Sequence, residues 1–128
     1  MADDRTHADG PRILVVEDNF LIAEVVCSRL RQFGCETVGP VGFVDKAVAL
    51  ASEAPLEGAL LDINLHGELC FPVAATLRER GVPFVFLTGY SEESLIPPEL
   101  RDAPRLAKPV DDQALRAALG GFGAAGGV

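Results

Sequence analysis

The chain has 128 residues, 48% of them hydrophobic, with a formal charge of −8 and a pI near 4.6. That length suits one self-folding domain, and the acidity argues against nucleic acid, whose phosphates call for clustered Lys and Arg. No apolar run approaches the ~20 residues of a membrane span, and the start Met-Ala-Asp-Asp-Arg-Thr lacks the basic and apolar regions of a signal peptide, so the expected setting is the cytoplasm, with proteins or cations as partners and no membrane.

Residues 1–11 are polar and closed by Gly10-Pro11, which predicts a mobile leader ahead of a domain over 12–119. Arg12-Ile13-Leu14-Val15-Val16 is a continuous aliphatic run, as in a strand covered on both faces, and it ends at Glu17-Asp18-Asn19. From Phe20 to Phe33, Leu21, Ile22, Val25, Val26 and Leu30 recur at helical spacing, and Gly34 supplies the stop. Glu36–Val41 reads as a weaker strand at the sheet margin, because it contains Gly39 and Pro40. A second helix is predicted from about Phe43 to Ala54, where Pro55 ends it.

Ala59-Leu60-Leu61 runs straight into Asp62, with Gly67 a few residues on, so a buried strand ends at an exposed loop carrying a carboxylate. Pro72 stands where a first helical turn tolerates it, and a third helix continues to Gly81. Phe84–Leu87 is the fourth strand, ending at Thr88-Gly89-Tyr90. Between Ser91 and Pro104 a fourth helical segment is expected, cut by Pro97-Pro98 to little more than two turns. Arg105-Leu106-Ala107 is a short fifth strand leading to Lys108-Pro109; Asp111 caps a last helix through Leu119, and the Gly-rich residues 120–128 are expected to fray. Cys27, Cys35 and Cys70 are odd in number and form no CxxC pair, so they read as reduced packing residues, and His7 and His66 are too isolated to complete a zinc set. Arg78, Arg80 and Arg101 read as solvated surface.

Five strands alternating with helical segments imply an α/β fold: a parallel sheet with helices on both faces and right-handed crossovers, whose ligand site lies outside the carboxyl ends of the strands. That edge collects Glu17 and Asp18, Asp62, Thr88 and Lys108 from four different strands. Clustered carboxylates repel one another and so bind protons or hold a cation, and hard oxygen ligands suit Mg²⁺. Asp62 is then the candidate nucleophile toward a phosphoryl group. Asp18 would be a direct ligand and Glu17 one acting more through water, and the Asn64 backbone carbonyl would add an oxygen. Thr88 and Lys108 would offer a hydroxyl and an ammonium to the phosphoryl oxygens. Taken singly these residues have plainer readings: Asp62 as a loop cap, Glu17-Asp18 as a solvated helix start, Lys108 as a surface charge. Their joint placement after separate strands favours chemistry.

Four motifs in order, Ile13-Leu14-Val15-Val16-Glu17-Asp18, Leu60-Leu61-Asp62-Ile63-Asn64-Leu65 with Gly67, Phe84–Tyr90 and Lys108-Pro109, resemble the receiver domain of two-component response regulators over residues 12–119. The resemblance implies a doubly wound five-stranded sheet of order 2-1-3-4-5, a strand order that the residues alone leave open. It also implies Mg²⁺ at the acid pair, phosphorylation of Asp62 by a kinase or phosphotransfer histidine, and a cis bond before Pro109. Pro83–Tyr90 is similar to the Pro-Phe-x-Phe-Ala-Thr-Gly-Tyr subgroup of often stand-alone receivers, with Leu87 in place of its Ala; Thr88 and Tyr90 are the switch candidates, although Tyr90 reads equally as a ring packed over its loop. Glu17 replaces a commoner Asp, and Arg105 stands where most receivers carry a switch aromatic.

No output domain follows in this sequence, so the expectation is a non-enzymatic, single-domain regulator that signals by protein contact. The alternative is a docking module of the same fold that never needs phosphate. An enzyme is disfavoured, because a flavin phosphate would meet Glu17 and Asp18 after the first strand, and Asp62-Ile63-Asn64 lacks the second acid of an aspartate phosphatase.

Overall fold

A computed structural model describes residues 10–89 and 91–122. Strands β1 (Arg12–Val16), β2 (Glu36–Val41), β3 (Gly58–Asp62), β4 (Phe84–Thr88) and β5 (Arg105–Ala107) pair in parallel in the order β2-β1-β3-β4-β5. Helices α1 (Phe20–Gln32), α2 (Val44–Glu53), α3 (Phe71–Glu79) and α4 (Asp112–Leu119) cover both faces. This is the doubly wound five-stranded sheet expected.

Alternation along each strand builds two cores rather than one. Leu14, Val16, Ala59, Leu61, Phe84 and Phe86 join Ala47 and Ala51 of α2 and Val73, Ala74 and Leu77 of α3. On the other face Ile13, Val15, Leu60, Val85, Leu87 and Leu106 meet Val26 and Leu30 of α1 and Leu115 of α4. A strand buried on both sides tolerates a charge only at its end, so charged residues stand at the strand ends, Arg12 at the amino end of β1 and Asp62 at the carboxyl end of β3.

Local signals set the element limits. Asn19 Oδ1 accepts from the Ile22 N–H at 3.0 Å at the start of α1, and Gly34, at φ +89°, follows its end. Asp111 caps α4 by accepting from the Ala114 N–H at 2.9 Å. β2 lies at the sheet margin, as Gly39 and Pro40 indicate, and its register against β1 shifts between Leu14 and Val16. Cys27, Cys35 and Cys70 are free and buried; burial pushes each thiol above its ordinary pKa, which disfavours the reactive thiolate. Among the described residues no helix is long and apolar enough to cross a membrane.

Four features differ from the sequence expectation. Within the stretch 120–128 expected to fray, Phe122 is buried in the α1/α4 core against Gly58, while residues 123–128, like 1–9 of the expected leader, lie outside the described residues. The segment before β5 holds two short 3₁₀ turns, Glu93–Leu95 and Pro98–Leu100, instead of a helix of about two turns, because Pro97 and Pro98 lack the N–H donors that would join them. The stretch after Asp62 is a small antiparallel hairpin, Asn64–Leu65 with Glu68–Leu69, turned by His66 and Gly67 at φ +50° and +88°. The arginines are more than solvated charge. Arg80 Nη1 donates to the Ala51 and Ala54 carbonyls at 2.7 and 2.8 Å, closing the end of α2 from α3. Arg78 Nη1 donates to the Glu99 carbonyl at 3.0 Å and lies 3.2 Å from Asp102, and Arg101 Nε donates to the Ile96 carbonyl at 3.0 Å. These side chains hold by hydrogen bonds a segment that cannot hold itself as a helix.

Arg80→Ala orphans two carbonyls at the end of α2, and the expected cost is about 1 kcal/mol in urea unfolding, with Arg80→Lys recovering only part of it because one ammonium does not match the planar fork. An Arg80→Ala midpoint equal to wild type would contradict this role.

Candidate functional site

The carboxyl edge of the sheet brings four charged side chains together. The Glu17 N–H donates to the Val41 carbonyl at 2.9 Å, so the β1–β2 ladder fixes that residue beyond the end of β1. Asp62 is the last residue of β3, in register with Leu87 of β4. The Lys108 N–H donates to the Thr88 carbonyl at 2.9 Å, placing the lysine one step past β5. The Lys108–Pro109 bond is cis, and so is Gly39–Pro40.

Strand alternation explains which groups meet. Glu17 has the parity of Ile13 and Val15, Asp62 that of Leu60, and Lys108 that of Leu106, all of which face the α1/α4 core. The three side chains therefore leave the sheet on one side. Lys108 Nζ lies 2.8 Å from Asp62 Oδ1 and 3.2 Å from Glu17 Oε1. The Asp62 and Lys108 side chains are 4% and 20% exposed, and that of Glu17 is sealed from solvent. Neither Glu17 Oε1 nor Asp62 Oδ1 accepts a hydrogen bond of good angle, so the ammonium offsets them by charge rather than by directed bonding. Asp18 completes the group: oxygens of Glu17, Asp18 and Asp62 lie within 4.8 Å of one another.

Each acid is held differently. Glu17 Oε2 accepts from the Asn19 N–H at 3.1 Å, and Asp18 Oδ2 accepts from the His66 N–H at 2.9 Å, a link from the loop after β1 to the hairpin after β3. Burial pushes the Asp62 carboxyl up from 3.8 to about 7, Lys108 opposing and the Glu17 charge reinforcing the rise. For Asp18, burial also acts upward, but the hydrogen bond from the His66 N–H, helped by the neighbouring Asp62 and Glu17 side chains, holds it below the usual range. Lys108 is desolvated, which would lower its pKa, yet the Asp62 carboxylate 2.8 Å away, with Glu17, keeps it above its ordinary value.

A divalent cation fits this donor set. Three carboxylates share one small space, two of their oxygens are buried without hydrogen bonds, and all the donors are hard oxygens of the kind Mg²⁺ takes. Asn64 stands two residues after Asp62, exposed, its Oδ1 accepting from the Gly67 N–H at 2.9 Å, which leaves its side chain occupied by the turn.

Thr88 does not join the cluster through its hydroxyl. It has the parity of Phe86, opposite to Asp62 and Lys108, and its buried Oγ1 donates at 3.4 Å to the Leu106 carbonyl. Beside it, Gly89, Ser91, Glu93, Ser94 and Lys108 help line a cleft of about 610 Å³. Tyr90 lies outside the described residues. Arg105 is tied to the 3₁₀ segment, its Nη2 donating to the Arg101 carbonyl at 2.8 Å and its Nη1 3.6 Å from Glu93.

Sequence reasoning missed two supports of the site. One is Glu92, whose Oε1 accepts from the Gly89 N–H at 2.7 Å and so folds the loop after β4. The other is the His66 N–H on Asp18; a residue before Gly67 in a tight turn was the available signal, but its donor direction depends on a left-handed φ that spacing does not reveal.

No protein-family model matches this chain. It is 30% identical over 111 residues to the transcriptional regulatory protein PdtaR of Mycobacterium tuberculosis; the match covers 84% of this chain and 54% of the relative, so the chain spans about half the length of the curated relatives it matches. The solution structure of SdrG from Sphingomonas melonis Fr1 superposes with a TM-score of 0.77 at 39% identity, covering 86% of this chain and 93% of that one. The receiver domain of the sensor histidine kinase PA1611 from Pseudomonas aeruginosa PAO1, solved with a magnesium ion coordinated in its active-site cleft, gives 0.71 at 25% identity over 87% of this chain and 95% of that one.

The raised Asp62 pKa fixes a sign for stability. Between the unfolded value near 3.8 and the folded value near 7, the folded chain binds the extra proton, so this contribution is full at low pH and lost as pH rises through 7. In cation-free buffer Asp62→Asn is therefore expected to raise the calorimetric midpoint at pH 8, by no more than about 4 kcal/mol of stability, and to gain much less at pH 4.5. A midpoint lowered at pH 8 contradicts the burial cost.

Proposed function

The chain belongs to the receiver family of two-component response regulators, and from that premise we propose that it is a Mg²⁺-dependent phosphoacceptor in which Asp62 takes a phosphoryl group from a histidine of a sensor kinase or phosphotransfer protein. The observation that carries this reading is the nearly buried cluster in which Asp62 meets Lys108 at 2.8 Å beside Glu17 and Asp18.

Mg²⁺, when bound, would neutralise charge on the carboxylates and on the phosphoryl oxygens. Asp18, Asp62 and the Asn64 carbonyl would hold it, with Glu17 contributing directly or through water. Beside a bound cation the Asp62 carboxyl would be held as the carboxylate, an anionic nucleophile. An Asp62 oxygen attacks phosphorus, the phosphorus–nitrogen bond breaks, and the donor imidazole leaves with the electron pair. Lys108, already between two acids, turns its ammonium to a phosphoryl oxygen. Thr88 has only a 3.4 Å bond to the Leu106 carbonyl to give up, so its hydroxyl reorients at small cost toward the new charge.

A donor histidine must come within bonding distance of Asp62, so its protein must cover the rim of this edge. Phe20, Leu21 and Val25 of α1 are exposed there, and Leu21 and Val25 border a groove of about 470 Å³ that Lys108, Pro109 and Val110 close. That apolar face is the proposed seat of the histidine-bearing partner, and the charge of −8 keeps nucleic acid and anionic membrane out of the partner set. The setting is cytoplasmic, and the phosphorylated domain acts by changing its contacts with a protein target rather than by turning over a substrate.

With acetyl phosphate and Mg²⁺, wild type should take up one acid-labile phosphoryl group and Asp62→Asn none, by intact-protein mass spectrometry. Lys108→Ala should slow labelling about a hundredfold. Full labelling of Asp62→Asn would exclude this acceptor. Beryllofluoride with Mg²⁺ should shift the amide resonances of Asp62, Thr88 and Tyr90; an unchanged spectrum would favour a docking module that never uses phosphate.

A further inference from the structure

The loop between β2 and α2 approaches the acid pair closely. A Cβ on Gly42 would come 3.1 Å from the Asp18 Cα and 3.4 Å from the Glu17 carbonyl oxygen, so a side chain there would push this backbone by a few tenths of an ångström and glycine lets the loop lie directly against the site. The next residue, Phe43, precedes α2 but makes no side-chain capping bond, and its ring, 48% exposed, belongs to neither core. It stacks instead on His66 from the hairpin after β3, with centroids 4.4 Å apart and planes 15° from parallel. Lys46 places its ammonium 5.8 Å from the same Phe43 centroid.

His66 is itself constrained. Its φ of +50° lies in the left-handed region, a sparse one for a residue with a side chain, and that conformation is the one in which its N–H donates to Asp18 Oδ2 at 2.9 Å. One aromatic contact therefore joins two loops from different strands, and the backbone it restrains holds an oxygen of the acid expected to ligate the cation directly.

We infer that Phe43 and His66 form an aromatic clasp that positions Asp18 for the divalent cation. Neither ring is a ligand; the stack keeps the His66 N–H aimed at Asp18 Oδ2, which fixes the plane of the carboxylate before the cation arrives. Partners that orient a ligating carboxylate in this way set affinity through preorganisation. The clasp rests on the phosphoacceptor reading, because it presumes that the acid cluster takes Mg²⁺.

The test is titration of the full chain with Mg²⁺ alone, by isothermal titration calorimetry and amide spectra, without any phosphodonor. Phe43→Ala and His66→Gly should each weaken Mg²⁺ binding about tenfold, and Phe43→Tyr should restore it. The double variant should bind no worse than either single one, since the two rings act as one unit. His66→Gly keeps the N–H and suits the positive φ but also frees the backbone, so Phe43→Ala, which leaves His66 and its N–H in place, is the variant that isolates the stack. Both rings are partly or fully exposed, and cation-free spectra should change only around residues 18, 42–43 and 64–67. Single variants binding within about twofold of wild type, or Phe43→Tyr failing to restore affinity, overturn the clasp while leaving the phosphoacceptor reading standing. A wild type that binds no Mg²⁺ overturns that reading, and the clasp falls with it.

Discussion

A single ammonium between two buried carboxylates is the constraint on which the rest of this molecule turns. Lys108 Nζ faces Asp62 at 2.8 Å and Glu17 at 3.2 Å in a space that water scarcely enters. Two anions and one cation there leave an unbalanced negative charge, and desolvating charges costs more than an ordinary pair returns. The fold bears this because the strand interiors beneath are apolar and the buried charged atoms gather at the carboxyl edge, the Arg12–Glu36 pair at the opposite edge being part-exposed. The cluster is thus poor at stabilising the chain and well arranged to accept positive charge, whether a proton on Asp62 or a divalent cation. In the phosphoacceptor reading that unbalanced charge is what gives way when a cation and a phosphoryl group enter.

The doubly wound sheet does more than carry these residues; it selects which of them meet. Parallel strands buried on both faces impose one alternation from β1 to β5, and Glu17, Asp62 and Lys108 share a parity across three of them. Thr88 stands one residue beyond the partner of Asp62 and has the other parity, with its hydroxyl on the Leu106 carbonyl. The charged groups of the cluster and the Thr88 hydroxyl thus leave the sheet on opposite faces, one step apart along a strand. A cleft lined by Gly89, Ser91, Ser94 and Lys108 adjoins Thr88.

Much of this was legible in the sequence because it depends on contiguous runs. Ile13–Val16, Ala59–Leu61 and Phe84–Leu87 are solid apolar segments that end in polar residues, and the rule for open α/β sheets brings those ends together. Five strands, the marginal place of Glu36–Val41 and the caps at Gly34 and Asp111 follow from local chemistry in the same way. What was not legible depends on contacts between segments distant in the chain. Arg80 reads as a surface charge until α2 is placed beside α3, whose packing brings its guanidinium to the Ala51 and Ala54 carbonyls. The 91–104 segment is irregular for a local reason, its two prolines, but what holds it is remote: Arg78 reaching Glu99 and Asp102, and Arg105 reaching Arg101 and Glu93. The orientation of Thr88 and the His66 bond to Asp18 depend on register and on a left-handed φ, neither of which composition records.

The exchange of a common Asp for Glu17 has a structural consequence of its own. The longer side chain lets one carboxylate serve two ends, with Oε1 toward Lys108 and Oε2 accepting from the Asn19 N–H. Asn19 in turn caps α1 through its side chain, accepting from the Ile22 N–H. The charge state of the buried cluster and the first turn of α1 are therefore joined through one residue, Asn19, whose backbone answers to Glu17 and whose side chain answers to the helix. The exposed Phe20 and Leu21 begin immediately after it. Any event that draws Glu17 toward a cation loads the Asn19 N–H bond, and the helix start that carries the apolar rim must either hold that bond or follow it. In this chain one Glu17 carboxylate thus spans both ends of that link, Lys108 on one oxygen and the Asn19 N–H on the other.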